Sequence, residues 1–118
     1  RINENFIRCS FFELCSRYLS SYYTFAIEQN NSAGRSDFEM TGIPGTDYYK
    51  DDRLAEFKYF KAKEAERMLA LSDPRPEDVA QVLAYAKDTK VKFPHYHVRS
   101  YIVYICANKG WKCWEVTP

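Results

Sequence analysis

The hydrophobic period of this chain changes three times, and that alternation limits the fold more than any other feature. In residues 4–22 the apolar positions, Phe6, Ile7, Phe11, Leu14, Cys15, Tyr18 and Leu19 among them, recur at steps of three and four, the spacing of one helical face. In residues 22–27 aromatic and β-branched residues take over, a strand signature, and Gln29-Asn30-Asn31-Ser32-Ala33-Gly34 reads as a turn. Residues 35–41 form a second strand pairing back across that turn. Gly42-Ile43-Pro44-Gly45-Thr46-Asp47 breaks regular pairing, and residues 54–60 form a third strand. From Ala62 the run to Leu71 is rich in strong helix formers, and Ser72-Asp73-Pro74-Arg75-Pro76 ends it. A further helix follows to about Thr89, with Asp73 expected as its cap, Pro74 at its first position, and Glu77 and Asp78 in a first turn that favours negative charge. After Pro94, residues 97–107 alternate as a strand, Asn108-Lys109-Gly110 makes a hairpin-type turn, and residues 111–116 form a last strand. The order is α-β-β-β-α-α-β-β, an α/β pattern.

At 118 residues the chain is expected to be one domain, residues 1–118, with enough apolar sequence for one core. It opens on Arg1 rather than Met, as a piece cut from a longer polypeptide or a processed or trimmed chain would, and the C-terminal part of a longer protein is the expectation. The formal net charge of +1 excludes a global field that would by itself attract a polyanion, so a nucleic-acid surface has to be local. Lys58, Lys61 and Lys63, then Lys87, Lys90 and Lys92, then Lys109 and Lys112 are the basic runs, and solvated surface explains such runs as readily. Cys9, Cys15, Cys106 and Cys113 have no close pair spacing and no zinc-type histidine partners, so the chain reads as reduced and cytoplasmic, with Cys106 a small buried apolar residue. No run of about 18 apolar residues is present to span a membrane.

The chemistry centres on two strands. Period two puts Glu56 and Lys58 on one face of the third strand with Phe57 on the other, and likewise groups Arg35, Asp37 and Glu39 on the second. If those strands are neighbours, Asp37 and Glu56 converge on one hard cation through oxygen ligands. A carboxylate-held divalent metal neutralises phosphate charge and makes water nucleophilic, and a lysine beside it orients the water or stabilises the transition state. Taken alone, the Glu56 and Lys58 spacing is equally that of a salt bridge.

The ordered set Gly34-Arg35-Ser36-Asp37, Glu56-Phe57-Lys58 and Gln81-Val82-Leu83-Ala84-Tyr85 resembles the PD-(D/E)XK nuclease superfamily, in the branch often fused to an AAA-ATPase-like module. The likeness extends through Glu28-Gln29-Asn30 and the closing Ala107-Asn108-Lys109-Gly110-Trp111 and Trp114-Glu115-Val116, covering roughly residues 5–117. It implies a restriction-endonuclease-like fold, a mixed central sheet with helices on both sides. It also implies Mg2+- or Mn2+-dependent hydrolysis of nucleic-acid phosphodiesters, DNA being the expected substrate. Carried over by position, it makes Asp37 and Glu56 metal ligands together with the Phe57 backbone carbonyl, and Lys58 the catalytic lysine. Glu28, ahead of Glu13, is the candidate auxiliary acid. Gln81 and Tyr85, four apart on one helical face, resemble a substrate-contacting or supporting pair, with Arg35 beside the site.

Ser36 stands where the family's name has proline, which leaves the carboxylate of Asp37 in place. No G-x-x-x-x-G-K-[ST] loop is present, so an ATPase-like module, if the parent protein has one, lies outside these residues. The other class of function is a catalytically inactive module of this fold that binds nucleic acid or protein within a larger ATPase-like protein. His95 and His97 lack a third ligand at recognisable spacing and read as surface or strand-edge residues, while Trp111 and Trp114 read as core.

Overall fold

The fold was obtained as a computed structural model that describes residues 4–30 and 35–118, with side chains described for residues 10–27 and 38–118. The elements follow the predicted order: α1 (Glu4–Leu19), β1 (Tyr23–Asn30), β2 (Arg35–Gly42), β3 (Asp51–Phe60), α2 (Ala62–Leu69), α3 (Pro76–Lys92), β4 (His97–Cys106) and β5 (Gly110–Val116). The turn expected after β1 falls largely on residues 31–34, outside the described residues. The strands form one sheet in the order β1-β2-β3-β4-β5. Neighbours are antiparallel except β3 and β4, which are parallel over Asp51↔His97 to Phe60↔Cys106. That parallel pair requires the crossover supplied by α2 and α3, and makes the sheet mixed, as the resemblance implied.

Strand alternation separates two cores. On one face, Phe60 of β3, Ile102, Tyr104 and Cys106 of β4 and Val116 of β5 pack with Ala65 and Met68 of α2 and Val82 of α3. On the other, Phe38 and Phe57 pack with Cys15 of α1, flanked by Phe12, Leu19, Phe25 and Val103. Helices therefore cover both faces, but unequally, because α1 lies over the β1 to β3 half. This corrects the expectation for Trp111. Trp114 packs against the α2/α3 core and donates from its indole N–H to the Ser72 carbonyl at 2.9 Å. Trp111, three residues earlier on the opposite face, stands 67% exposed beyond the reach of α1. It lines a groove of about 460 Å³ with Phe11, Phe57, Tyr101, Val103 and Cys113.

The start of α3 also differs from expectation. Pro76, not Pro74, takes the first helical position, and Arg75, not Asp73, is the N-cap residue, without a side-chain cap. Proline disfavours the helical region for the residue before it. Arg75 precedes Pro76 and stays extended at φ −62°, ψ 140°, so the helix cannot begin earlier. The β4–β5 turn matches its composition: Asn108 has φ 53° and Lys109 N–H bonds the Cys106 carbonyl at 3.0 Å.

Candidate functional site

Asp37 stands directly opposite Glu56 in the β2–β3 ladder, and Glu28 of β1 is opposite Asp37 in the β1–β2 ladder. Three candidate acids thus occupy adjacent positions across three strands. The side chains of Glu28, Arg35 and Asp37 lie outside those described. Glu56 is 1% exposed, beneath the helices that cover this face of the sheet. The β2–β3 ladder runs from Thr41↔Asp52 to Ser36↔Phe57, whereas β3 continues beside β4 to Phe60↔Cys106. Among the described residues the β2–β3 pairs therefore end at Phe57, one residue before Lys58.

Lys58 does not face Glu56 alone. Its Nζ lies 3.9 Å from Oδ1 of Asp78, a residue of α3 that is 1% exposed. Oδ2 of Asp78 accepts from the Arg75 Nε–H at 3.0 Å and from the Tyr104 hydroxyl. That hydroxyl in turn accepts from the Arg75 backbone N–H at 2.9 Å. The Arg75 guanidinium lies over the Phe60 ring, 5.0 Å from its centroid. Burial pushes the Tyr104 phenol up to about 12, and the Asp78 carboxylate it bonds adds to that. Sequence alone makes Asp78 a first-turn acid favoured by the helix dipole. Its inward rotation had a faint signal, since residues 78, 82, 85 and 89 lie at steps of four, three and four on one helical face.

The remaining candidates are spread around this centre. Gln81 is exposed on α3, and Tyr85 is half-buried four residues on, lining a small polar cavity of about 220 Å³ with Glu39, Asp88, Thr89, Lys92 and Phe93. Glu13 is not part of the site, because it lies on α1 at the opposite face and pairs with Arg17 at 2.7 Å in solvent. His95 and His97 are exposed. Lys112 donates to the Leu71 carbonyl at 2.5 Å and Lys90 to that of Tyr96 at 2.5 Å, so these lysines tie loops together. Lys61, Lys63 and Lys109 are exposed at the edge where β3 and β4 end, two or more residues beyond Lys58.

A second pair of acids lies farther along the same face. Asp52 is fully buried, and burial together with the neighbouring Glu39 carboxyl pushes it up to about 8. Neither Asp52 oxygen has a hydrogen-bond partner at bonding distance among the described residues, so its interaction with Glu39 is looser than a formed bond.

The donor set at Asp37 and Glu56 suits a hard divalent cation. Magnesium is held by one or two carboxylates and keeps its other positions for water and phosphate oxygens, and the opposed acids with the adjacent Phe57 carbonyl supply that kind of ligand. Among the described residues no group of three or more His, Cys, Asp or Glu side chains converges on a common point, as a soft-metal or all-protein cage would need. Among the described residues no helix is long and apolar enough to cross a membrane.

Comparison with known proteins bears on the same residues. The family description "PD-(D/E)XK nuclease superfamily" matches residues 2–115. No curated protein matches the chain, and neither does any solved structure. The match takes in both acid-bearing strands, the Lys58 strand end and all of α3, which with the mixed sheet between helices leads to one conclusion: the chain belongs to the PD-(D/E)XK nuclease superfamily.

Proposed function

We propose that this protein is a divalent-metal-dependent nuclease that hydrolyses phosphodiester bonds of DNA. The observation that carries the reading is the β2–β3 register, in which Asp37 is opposite the buried Glu56 and Lys58 follows two residues later on the same strand. Directly opposite residues of an antiparallel pair share a face of the sheet. In this reading Asp37, Glu56 and the Phe57 carbonyl hold Mg2+ or Mn2+, with Glu28 as an auxiliary acid. When bound, the metal lowers the pKa of its water and neutralises phosphate charge.

The chain's own residues do the rest. Lys58 orients the attacking water and stabilises the charge that develops on the phosphoryl oxygens. Glu56, shielded from solvent, is held in place by the strand on either side. Lys61, Lys63 and Lys109, with Arg35, offer the backbone phosphates a local basic edge despite the near-neutral chain. Gln81 and Tyr85 support the substrate from α3. An ATPase-like module in the parent chain and a cytoplasmic, reducing location complete the proposal; the cysteine spacing motivates the latter.

The test is Lys58→Ala, assayed on supercoiled plasmid and on labelled oligonucleotides of DNA and RNA with Mg2+ and with Mn2+. Turnover on DNA should fall by two or more orders of magnitude, while calorimetric metal uptake stays near that of the parent protein. Unchanged turnover, or a wild-type protein that takes up no metal and cleaves nothing, refutes the proposal.

A further inference from the structure

We propose that Asp78 is the positioning residue for Lys58, holding its ammonium from above while the strand holds its backbone from below. The inference rests on the reading of Lys58 as the lysine that acts on the phosphodiester. It starts from the division of labour between the two oxygens of one buried carboxylate. Oδ2 receives Arg75 Nε at 3.0 Å and the Tyr104 hydroxyl, so the carboxylate is fixed at one side. Oδ1 is buried and receives no hydrogen bond among the described residues. The charge that it faces is Lys58 Nζ at 3.9 Å.

A buried carboxylate oxygen without a donor is costly, and a cation close to it offsets part of that cost. Asp78 and Lys58 are 1% and 15% exposed in their side chains, so solvent does little to screen the attraction. The lysine stem is flexible, with a four-carbon chain that ordinarily leaves the ammonium mobile. Asp78 adds a restraint from α3. It comes from a rigid helix anchored to β4 through Tyr104, which is fully buried, and to the residue at its own N-terminus through Arg75.

A misplaced catalytic group costs on the order of 10²-fold in rate per ångström of displacement. Asp78→Asn keeps an oxygen for Tyr104 and Arg75 and removes the charge facing Lys58. Its kcat should fall roughly 10- to 100-fold, with KM and metal uptake within about twofold of wild type. The double variant with Lys58→Ala should then be no slower than Lys58→Ala alone, because a positioning residue has nothing left to position. Equal, additive losses from Asp78→Asn in both backgrounds would show a purely structural role and overturn the inference.

A measurement without activity keeps the inference separate from the nuclease proposal. In the NMR spectrum of the wild-type protein the two ε-protons of an anchored Lys58 should be inequivalent, and in Asp78→Asn they should merge. Degenerate, mobile Lys58 signals in the wild type overturn the inference whether or not the protein cleaves DNA, and the same spectrum decides it if Asp78→Asn does not fold.

Discussion

Replacing Asp52 by Asn should make the stability of this protein nearly independent of pH across a range where the parent protein steadily loses it. Asp52 is fully buried on β3, and its pKa is pushed from the ordinary 3.8 to about 8, first by burial and then by the Glu39 carboxyl. In the folded state the group keeps its proton up to about pH 8, while in the unfolded chain it releases it near pH 4. Between these values the folded state binds the extra proton, so stability falls as pH rises. A tenfold difference in proton affinity between the two states corresponds to about 1.4 kcal/mol, and relaxation with water entry limits the expected loss to about 3 kcal/mol. Below pH 4 both states are protonated and the cost vanishes. Asn carries no charge at any pH and offers its amide N–H to Glu39. Urea unfolding of both proteins at unit intervals from pH 4 to pH 9 measures the difference. The two curves should meet near pH 4 and diverge upward, with Asp52→Asn about 3 kcal/mol more stable at pH 8. Parallel curves, or a parent protein that gains stability from pH 5 to pH 8, would refute the reasoning. The result bears on enzymology, because assays at pH 8 would then use the parent protein after most of this contribution is lost.

Three further outcomes are expected. Gly42→Ala should destabilise by about 3 kcal/mol or prevent folding, since a Cβ there would lie 1.6 Å from the Tyr48 carbonyl oxygen; thermal melting checks it. Tyr104→Phe should cost about 1–3 kcal/mol in urea unfolding, because it removes one of the two donors on Asp78 Oδ2 and the acceptor for the Arg75 N–H. Glu56→Gln should abolish calorimetric Mg2+ uptake while leaving far-UV circular dichroism unchanged, and retained uptake would remove Glu56 from the proposed ligand set.

The elements were readable because each leaves its period in consecutive residues. The step of three and four in α1, the alternation of β4 and the Asn108-Lys109-Gly110 turn all act over a few positions, and the structure follows them with ends displaced by a few residues. The start of α3 was misplaced although its cause is also local: two prolines offered two starts, and only Pro76 has an extended predecessor and a helical sequel. The opposition of Asp37 and Glu56 followed from treating β2 and β3 as neighbours, a condition that the register meets. Family membership had its signal in the ordered motifs across nearly the whole chain.

What lay beyond local pattern was the partner of each side chain across elements. Whether Asp78 turns to solvent or toward Lys58 depends on how α3 is rotated about its axis once Val82 meets the sheet, and Tyr104 completes that choice from a strand 26 residues away. Whether Trp111 is core or surface depends on how far α1 reaches across the opposite face. Period and composition set which elements form and in what order, since those are matters of neighbouring residues. The lysine's carboxylate partner and the uncovered tryptophan were decided by packing, because crossing distance and helix rotation exist only once the layers have met.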